Sequence, residues 1–212
     1  MRKELQDFYN IVSGRKVFII GGGPSLKEID ISLLDNRLTV GINVAYKILK
    51  NPTALYWCDE SWAASEYDFL SKINCFKFTG KHSADGFIKD NIKSVAGATV
   101  LKRTGDFGID PDCDHVRGNN SGAHVINLLA NMKVSDIILL GFDGKILNGK
   151  THWHKGYNLP MNNMIYSDMF IPSICSMAAP LKNLGINIIN LSTESAIDCF
   201  NKYNALRYFD EN

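Results

Sequence analysis

The 212-residue sequence predicts an α/β fold, a single domain over residues 1–212 in which a mostly parallel sheet carries helices on both faces. Three observations predict it. Short apolar runs rich in Val, Ile and Leu recur along the chain, each too short and too uniformly apolar to be a helix. Longer stretches with helical spacing separate them, as the crossovers between parallel neighbours require. The length and the 45% apolar content suit one hydrophobic core.

The elements follow in order. Lys16–Ile20, Leu38–Ile42 and Ala54–Trp57 read as the first three strands. Between them, Leu26–Leu34 has weak helical character and Ala45–Leu49 a brief turn of it; Ser61–Ile73 is a clearer helix with Ser61 as N-cap. Cys75–Phe78 and Thr99–Leu101 are further strands, separated by a polar stretch from Lys81 to Ser94 expected as a loop or lid. In Ser121–Met132 the apolar residues Val125, Leu128, Leu129 and Met132 recur at helical spacing and lead into a strand, Asp136–Leu140. The Gly- and His-bearing loop from Gly141 to Asn163 is long enough to expect a function for it. A helix around Asp168–Leu184, broken or bent by Pro172 and Pro180, a strand Ile186–Leu191 and a helix Glu194–Tyr203 complete the chain. This alternation describes a Rossmann-like sheet, and ligands of such sheets sit outside the carboxyl ends of the strands.

Composition excludes several classes. The 23 Lys+Arg nearly balance the 22 Asp+Glu, so no broad field holds nucleic acid or an anionic membrane, and the expected partners are a small-molecule donor and acceptor. No stretch approaches the ~20 apolar residues of a membrane span and the first residues lack a signal-peptide core, so a cytoplasmic location is expected. Five scattered cysteines without a CxxC pair argue against a disulfide framework and a zinc ribbon; free, buried thiols are expected. Oligomeric state is left open.

Three motifs carry chemistry. KVFIIGGGPSL delivers a strand straight into Gly21, Gly22, Gly23, Pro24 and Ser25, where glycines let the backbone turn tightly and approach an anion. It is neither GxGxxG nor a Walker A loop. RGNNSGAHVINLL places Arg117, Asn120 and Ser121 at a helix start, which suits phosphate or carboxylate; Asn120 or Ser121 equally suits a simple cap. LLGFDGKILNGKTHWHKGY sets Asp143 at a strand end, then Lys145, His152 and His154. The two histidines share one side of an extended backbone, as a metal pair or as a general base beside a structural imidazole. The base reading is preferred, with His154 set slightly ahead of His152, because zinc needs a third protein ligand. Asn43 and Asp59 follow the second and third strands and so face the same crevice, each as ligand contact or turn former.

KVFIIGGGPSLKEIDISLL resembles the opening of the bacterial sialyltransferases that use CMP-sialic acid, and NSGAHVINLLANMKVSDIILLGFD resembles a later unit of the same enzymes. The same blocks are similar to the 6-hydroxymethylpterin diphosphokinase MptE-like family, with Gly149, Lys150, Thr151 and His152 matching its late loop. CDESW, RGNNSG, GFDG and THWH together are similar to uncharacterised proteins of bacteriophages and prophages. The sialyltransferase resemblance implies Gly21, Gly22, Gly23, Ser25, Asn43 and Ser121 around a nucleotide or nucleotide-sugar donor, and His152 or His154 as the base that activates an acceptor hydroxyl. Those enzymes carry Asn where this chain has Gly22, and an aromatic pair after the Asp143 position, where no tyrosine occurs before Tyr157. The leading expectation is a glycosyltransferase using a nucleotide-activated donor, with Arg117, Ser121 and Lys145 offsetting phosphate charge. The alternatives are an ATP- and Mg²⁺-dependent diphosphokinase acting on a pterin-like hydroxymethyl compound, and a non-catalytic, phage-encoded nucleotide-binding protein.

Overall fold

The structure, a computed structural model, describes residues 1–81, 96–154 and 162–211. The stretch expected as a lid lies outside the described residues beyond Lys81, as do His82, Tyr157 and part of the late loop.

Among the described residues nine strands form one sheet in the order β6-β5-β4-β3-β2-β1-β7-β8-β9, and every neighbouring pair is parallel. They are β1 (Lys16–Ile20), β2 (Thr39–Ile42), β3 (Ala54–Trp57), β4 (Phe76–Lys81), β5 (Thr99–Gly105), β6 (His115–Arg117), β7 (Asp136–Leu140), β8 (Asn187–Asn190) and β9 (Asn201–Lys202). The single Rossmann-like α/β fold expected from the sequence is the one observed. From β1 the chain builds outward to β6, then returns through the Ser121–Asn131 helix to place β7 on the other side of β1. The order therefore reverses between β1 and β7.

The alternation of strand residues explains the layers. Val17, Ile19, Tyr56, Ile137 and Leu139 face one core, where the Lys3–Val12 and Ser121–Asn131 helices pack; Phe18, Ile20, Ile138 and Leu140 face the other. Residues 122–130 of the returning helix are all buried, as expected of a helix laid across the middle of a sheet. The amino-terminal helix was not expected from the sequence. Leu5, Phe8 and Val12 mark its buried stripe, and the Phe8 ring lies 5.3 and 5.0 Å from those of Phe76 and Phe78. On the opposite face the Ala205–Glu211 helix buries Ala205 and Tyr208, and the Arg37 guanidinium sits 5.4 and 5.3 Å from the rings of Phe18 and Phe209.

Several sequence expectations are corrected. Asp59, not Ser61, caps the helix after β3, accepting from the Trp62 N–H at 2.9 Å, and that helix runs Glu60–Ser65 before a separate turn, Tyr67–Leu70. The weak helix after β1 is two 3₁₀ turns, Pro24–Glu28 and Ile31–Leu34. Residues 194–203 form no helix, because Asn190 and Ser195 side chains accept the backbone N–H groups of Ser192 and Ile197 and hold the segment in local turns. The late helix starts earlier than expected, at Asn163 after an Asn162 cap, and passes through a π turn, Tyr166–Phe170, into Ile171–Cys175. Pro172 lacks the N–H for a regular ladder, which accounts for an irregular turn just before it. The expectation of five free thiols is also corrected: Cys175 and Cys199 are bonded across a Cα separation of 5.4 Å, whereas Cys58, Cys75 and Cys113 are free. Tertiary packing brings a helix end to a loop here, and residue spacing alone carries no trace of that. Among the described residues no helix is long and apolar enough to cross a membrane.

Phe8→Ala is expected to lower unfolding free energy by roughly 3–5 kcal/mol, the usual cost of emptying an aromatic core site. Urea unfolding of parent and variant measures it, and a near-zero change would mean that the amino-terminal helix is not part of the core.

Candidate functional site

A cavity of about 320 Å³ opens at the carboxyl ends of β1, β2, β3 and β7, at the point where strand order reverses. The turns after β1 and β7 are locked together. Gly23 N–H donates to the Gly141 carbonyl at 2.8 Å, and a Cβ on Gly21 would lie 2.7 Å from the same oxygen. A Cβ on Gly23 would collide with both that carbonyl and Asp143 at 2.6 Å. These two glycines are thus required by strand packing. Gly22 differs: its missing side chain faces the His152 ring, 2.9 Å from where a Cβ would be. Only the middle glycine is packed against a cleft-lining side chain rather than against the β7 turn.

Asp143 is 2% exposed, and its carboxylate accepts from the Ser25 N–H at 2.9 Å, the Ser25 hydroxyl and the Ser192 hydroxyl at 2.6 Å. It therefore ties the turns after β1, β7 and β8 into one block while still lining the cleft. Ser25, expected beside a nucleotide, does not line the cavity; its hydroxyl is committed to Asp143.

The other expected residues divide in the same way. Gly22, Asn43, Asp59, Asn120, Ser121, Lys145 and His152 line the cavity together with Gly21, Gly23 and Asp143, so the turns after four strands and one helix start converge on it. Asp59 and Asn120 also cap helices, Asn120 accepting from Ala123 N–H at 3.0 Å. Asn43 adopts φ +49°, and its buried Oδ1 has no hydrogen-bond partner among the described residues. Ser121 opens an 11-residue helix with no acidic residue in its first turn, so the positive end of that helix faces the cleft uncompensated. Lys145 Nζ lies 3.9 Å from Glu194. Arg117 does not line the cavity, because its guanidinium turns to Asp110 at 3.5 Å.

The His152 and His154 rings are tilted by 37° with centroids 5.3 Å apart, and the segment that carries them is bent rather than extended as the sequence suggested. The Trp153 N–H donates to Gly22 O at 3.0 Å and holds this segment over the β1 turn. His152 lines the cleft and its Nδ1 is 2.9 Å from the Thr151 hydroxyl; His154 does not line it. Burial lowers the His152 pKa, while burial, His152 and Lys47 together lower that of His154 to about 4. Among the described residues no group of three potential metal ligands occurs.

Sequence reasoning missed the apolar wall. Tyr166, Phe170, Ile171 and Ile174 from the late helix and Ile197 from the loop after β8 complete the cavity, together with Phe142. Tyr166 puts a tyrosine in this wall, and burial with the Asp143 charge raises its pKa. The Asn162 cap was the signal that would have moved the helix start forward to include Tyr166.

Two outcomes test this geometry. Asp143→Ala leaves three donors in a buried setting and should destabilise the fold by at least ~2 kcal/mol, read by denaturant unfolding. For the histidines the folded pKa lies below the ordinary 6.5, so the unfolded chain binds more protons between that pH and about 4. Stability should be full above 6.5 and fall as pH drops through this window; His154→Gln should flatten the fall in urea midpoint measured between neutral and acidic buffer.

No protein-family model and no curated protein matches the chain. A solved structure, that of the sialyltransferase CstII from Campylobacter jejuni in complex with a substrate analogue, cytidine-5'-monophosphate, superposes with a TM-score of 0.55. At 17% identity the match covers 90% of this chain and 85% of that one, and the two chains share a fold over nearly their whole length.

Proposed function

We propose that the chain is a glycosyltransferase that uses a nucleotide-activated sugar, bound between the Gly22 turn and the Ser121 helix start. The observation that carries this reading is the convergence, at the reversal of strand order, of an uncompensated helix start, an unpartnered Asn43 acceptor and a cleft-lining imidazole. The helix start and Lys145 offset the charge of the leaving phosphate. Asn43 Oδ1 accepts from a ribose hydroxyl or a base amine. The shared fold with a sialyltransferase whose structure contains cytidine-5'-monophosphate supports a nucleotide in the cleft.

His152 is the base in this mechanism. It lines the cleft, and its depressed pKa keeps the ring neutral at physiological pH, ready to take the proton of an acceptor hydroxyl as that oxygen attacks the sugar. His154, outside the cavity lining, supports it by packing. Tyr166 faces the same space with a hydroxyl kept protonated by burial, a donor suited to the departing phosphate.

The test is a thermal-shift panel of CMP, UDP, GDP, ADP and ATP with and without Mg²⁺. A ligand at about 100 times its Kd raises stability by about 2.7 kcal/mol, so one nucleotide should stand out. With the donor so identified, His152→Ala should cost roughly 10²–10⁴-fold in nucleotide release while leaving nucleotide binding intact, and His154→Ala should cost less. A panel without any shift would sink the nucleotide site, and unchanged turnover in His152→Ala would sink the base.

A further inference from the structure

Beneath the cleft lies a group of side chains for which the transferase mechanism has no use. Cys58 follows β3 and lines the cavity, as Asn43 and Ser121 do. Its Sγ is 3.0 Å from Nδ1 of His124, a residue of the returning helix that is 2% exposed. The other ring nitrogen, Nε2, is 2.9 Å from the Gly118 carbonyl, which can only accept; Nε2 therefore carries the proton and Nδ1 is an acceptor facing the thiol. The buried Tyr56 hydroxyl also reaches Nδ1, at 2.9 Å. Two glycines make room for the imidazole. A Cβ on Gly80 would collide with the Tyr56 hydroxyl and lie 2.9 Å from His124 Nδ1, and one on Gly118, at φ +133°, would lie 3.1 Å from His124 Cδ2. Three strands and a helix thus fix one nitrogen against one sulfur at the base of an open cavity.

We propose that Cys58 and His124 form a thiol–imidazole pair that captures small α,β-unsaturated carbonyl compounds entering the cleft, and that the adduct closes the cleft to its other ligands. Burial holds Cys58 as a thiol, so attack depends on a neighbour that accepts its proton. In the step, Sγ bonds to the β-carbon of the alkene while the S–H proton passes to Nδ1 of His124. The π electron pair moves toward the carbonyl, and the proton returns from Nδ1 to the α-carbon. Nothing leaves, and the imidazole ends neutral. The imidazolium formed midway is held by the Gly118 carbonyl, and the positive end of the Ser121–Asn131 helix favours the developing thiolate.

The probe is N-ethylmaleimide, limiting, on the folded protein, with adducts mapped by peptide mass spectrometry. Cys75 and Cys113 are the other free thiols and serve as internal references. Cys58 should label about 10²-fold faster than either, the low end of what an adjacent base supplies. His124→Gln, checked for folding by circular dichroism, should bring Cys58 down to the reference rate. Because His124 is buried, Tyr56→Phe is the second variant: it keeps the imidazole and should leave Cys58 labelling well above the reference rate, whereas a fall to that rate would put the activation on the Tyr56 hydroxyl, which also bonds Sγ, and overturn the pair. Parent protein in which Cys58 reacts no faster than Cys75 and Cys113 would overturn the pair, as would a folded His124→Gln variant with an unchanged rate. Closure of the cleft rests on the nucleotide reading and is scored separately, as loss of the CMP-induced thermal shift in labelled protein. Absence of that shift before labelling would count against the nucleotide and leave the labelling rates to decide the pair.

Discussion

The architecture of the site depends on one buried carboxylate. Asp143 sits where β7 ends, and its two oxygens take the donors of Ser25 and Ser192 from the turns on either side. A buried carboxyl group is tolerated only when its oxygens are hydrogen-bonded, and here one backbone N–H and two hydroxyl groups bond them. The consequence is that three turns share one buried anchor, which adds to the backbone bond between Gly23 and Gly141 and to the Asn190 and Ser195 bonds to the Phe142 carbonyl. Gly22, Asn43, Ser121 and His152 line the same cleft as this carboxylate.

Much of the fold was legible because a parallel sheet buried on both faces writes itself as repeated apolar runs. Six of the nine strands lie within or across segments read as strands, from Lys16–Ile20 to Asn187–Asn190, and a seventh, β5, extends the Thr99–Leu101 reading. The two shortest, β6 and β9, were invisible, since three or two residues carry no period. The failed helix at Glu194–Tyr203 has a different origin. Its composition allows a helix, but serine and asparagine side chains bond the local backbone, a competition that propensity does not reveal.

For the site, the position of each residue at a strand end was legible and its role was not. Gly21, Gly22 and Gly23 look alike in sequence, yet two of them answer to the β7 turn and one to the cleft. Asp59, Asn120 and Ser25 were expected beside a nucleotide, and each spends hydrogen-bonding capacity on the fold, Ser25 outside the cavity lining. Arg117 lies on the edge strand β6, where Asp110 is nearer than the cavity. The Cys58–His124 contact joins residues 66 apart, and the apolar wall gathers Phe142, the late helix and Ile197, relations that only the folded chain expresses.

The bond between Cys175 and Cys199 gives the carboxyl-terminal part of the sheet a different character from the rest. It closes a covalent ring over a separation of 24 residues, and β8 lies inside that ring. When the sheet comes apart, this segment cannot spread as a free chain would; on the chain-entropy view a ring of that size removes roughly 3 kcal/mol of disorder from the unfolded ensemble. The ring also begins one residue after Ile174 and ends two residues after Ile197, so both sides of the apolar wall hang from one cross-link. A backbone cut anywhere within the ring would leave the two pieces tethered, and the wall would outlive the continuity of the chain that made it.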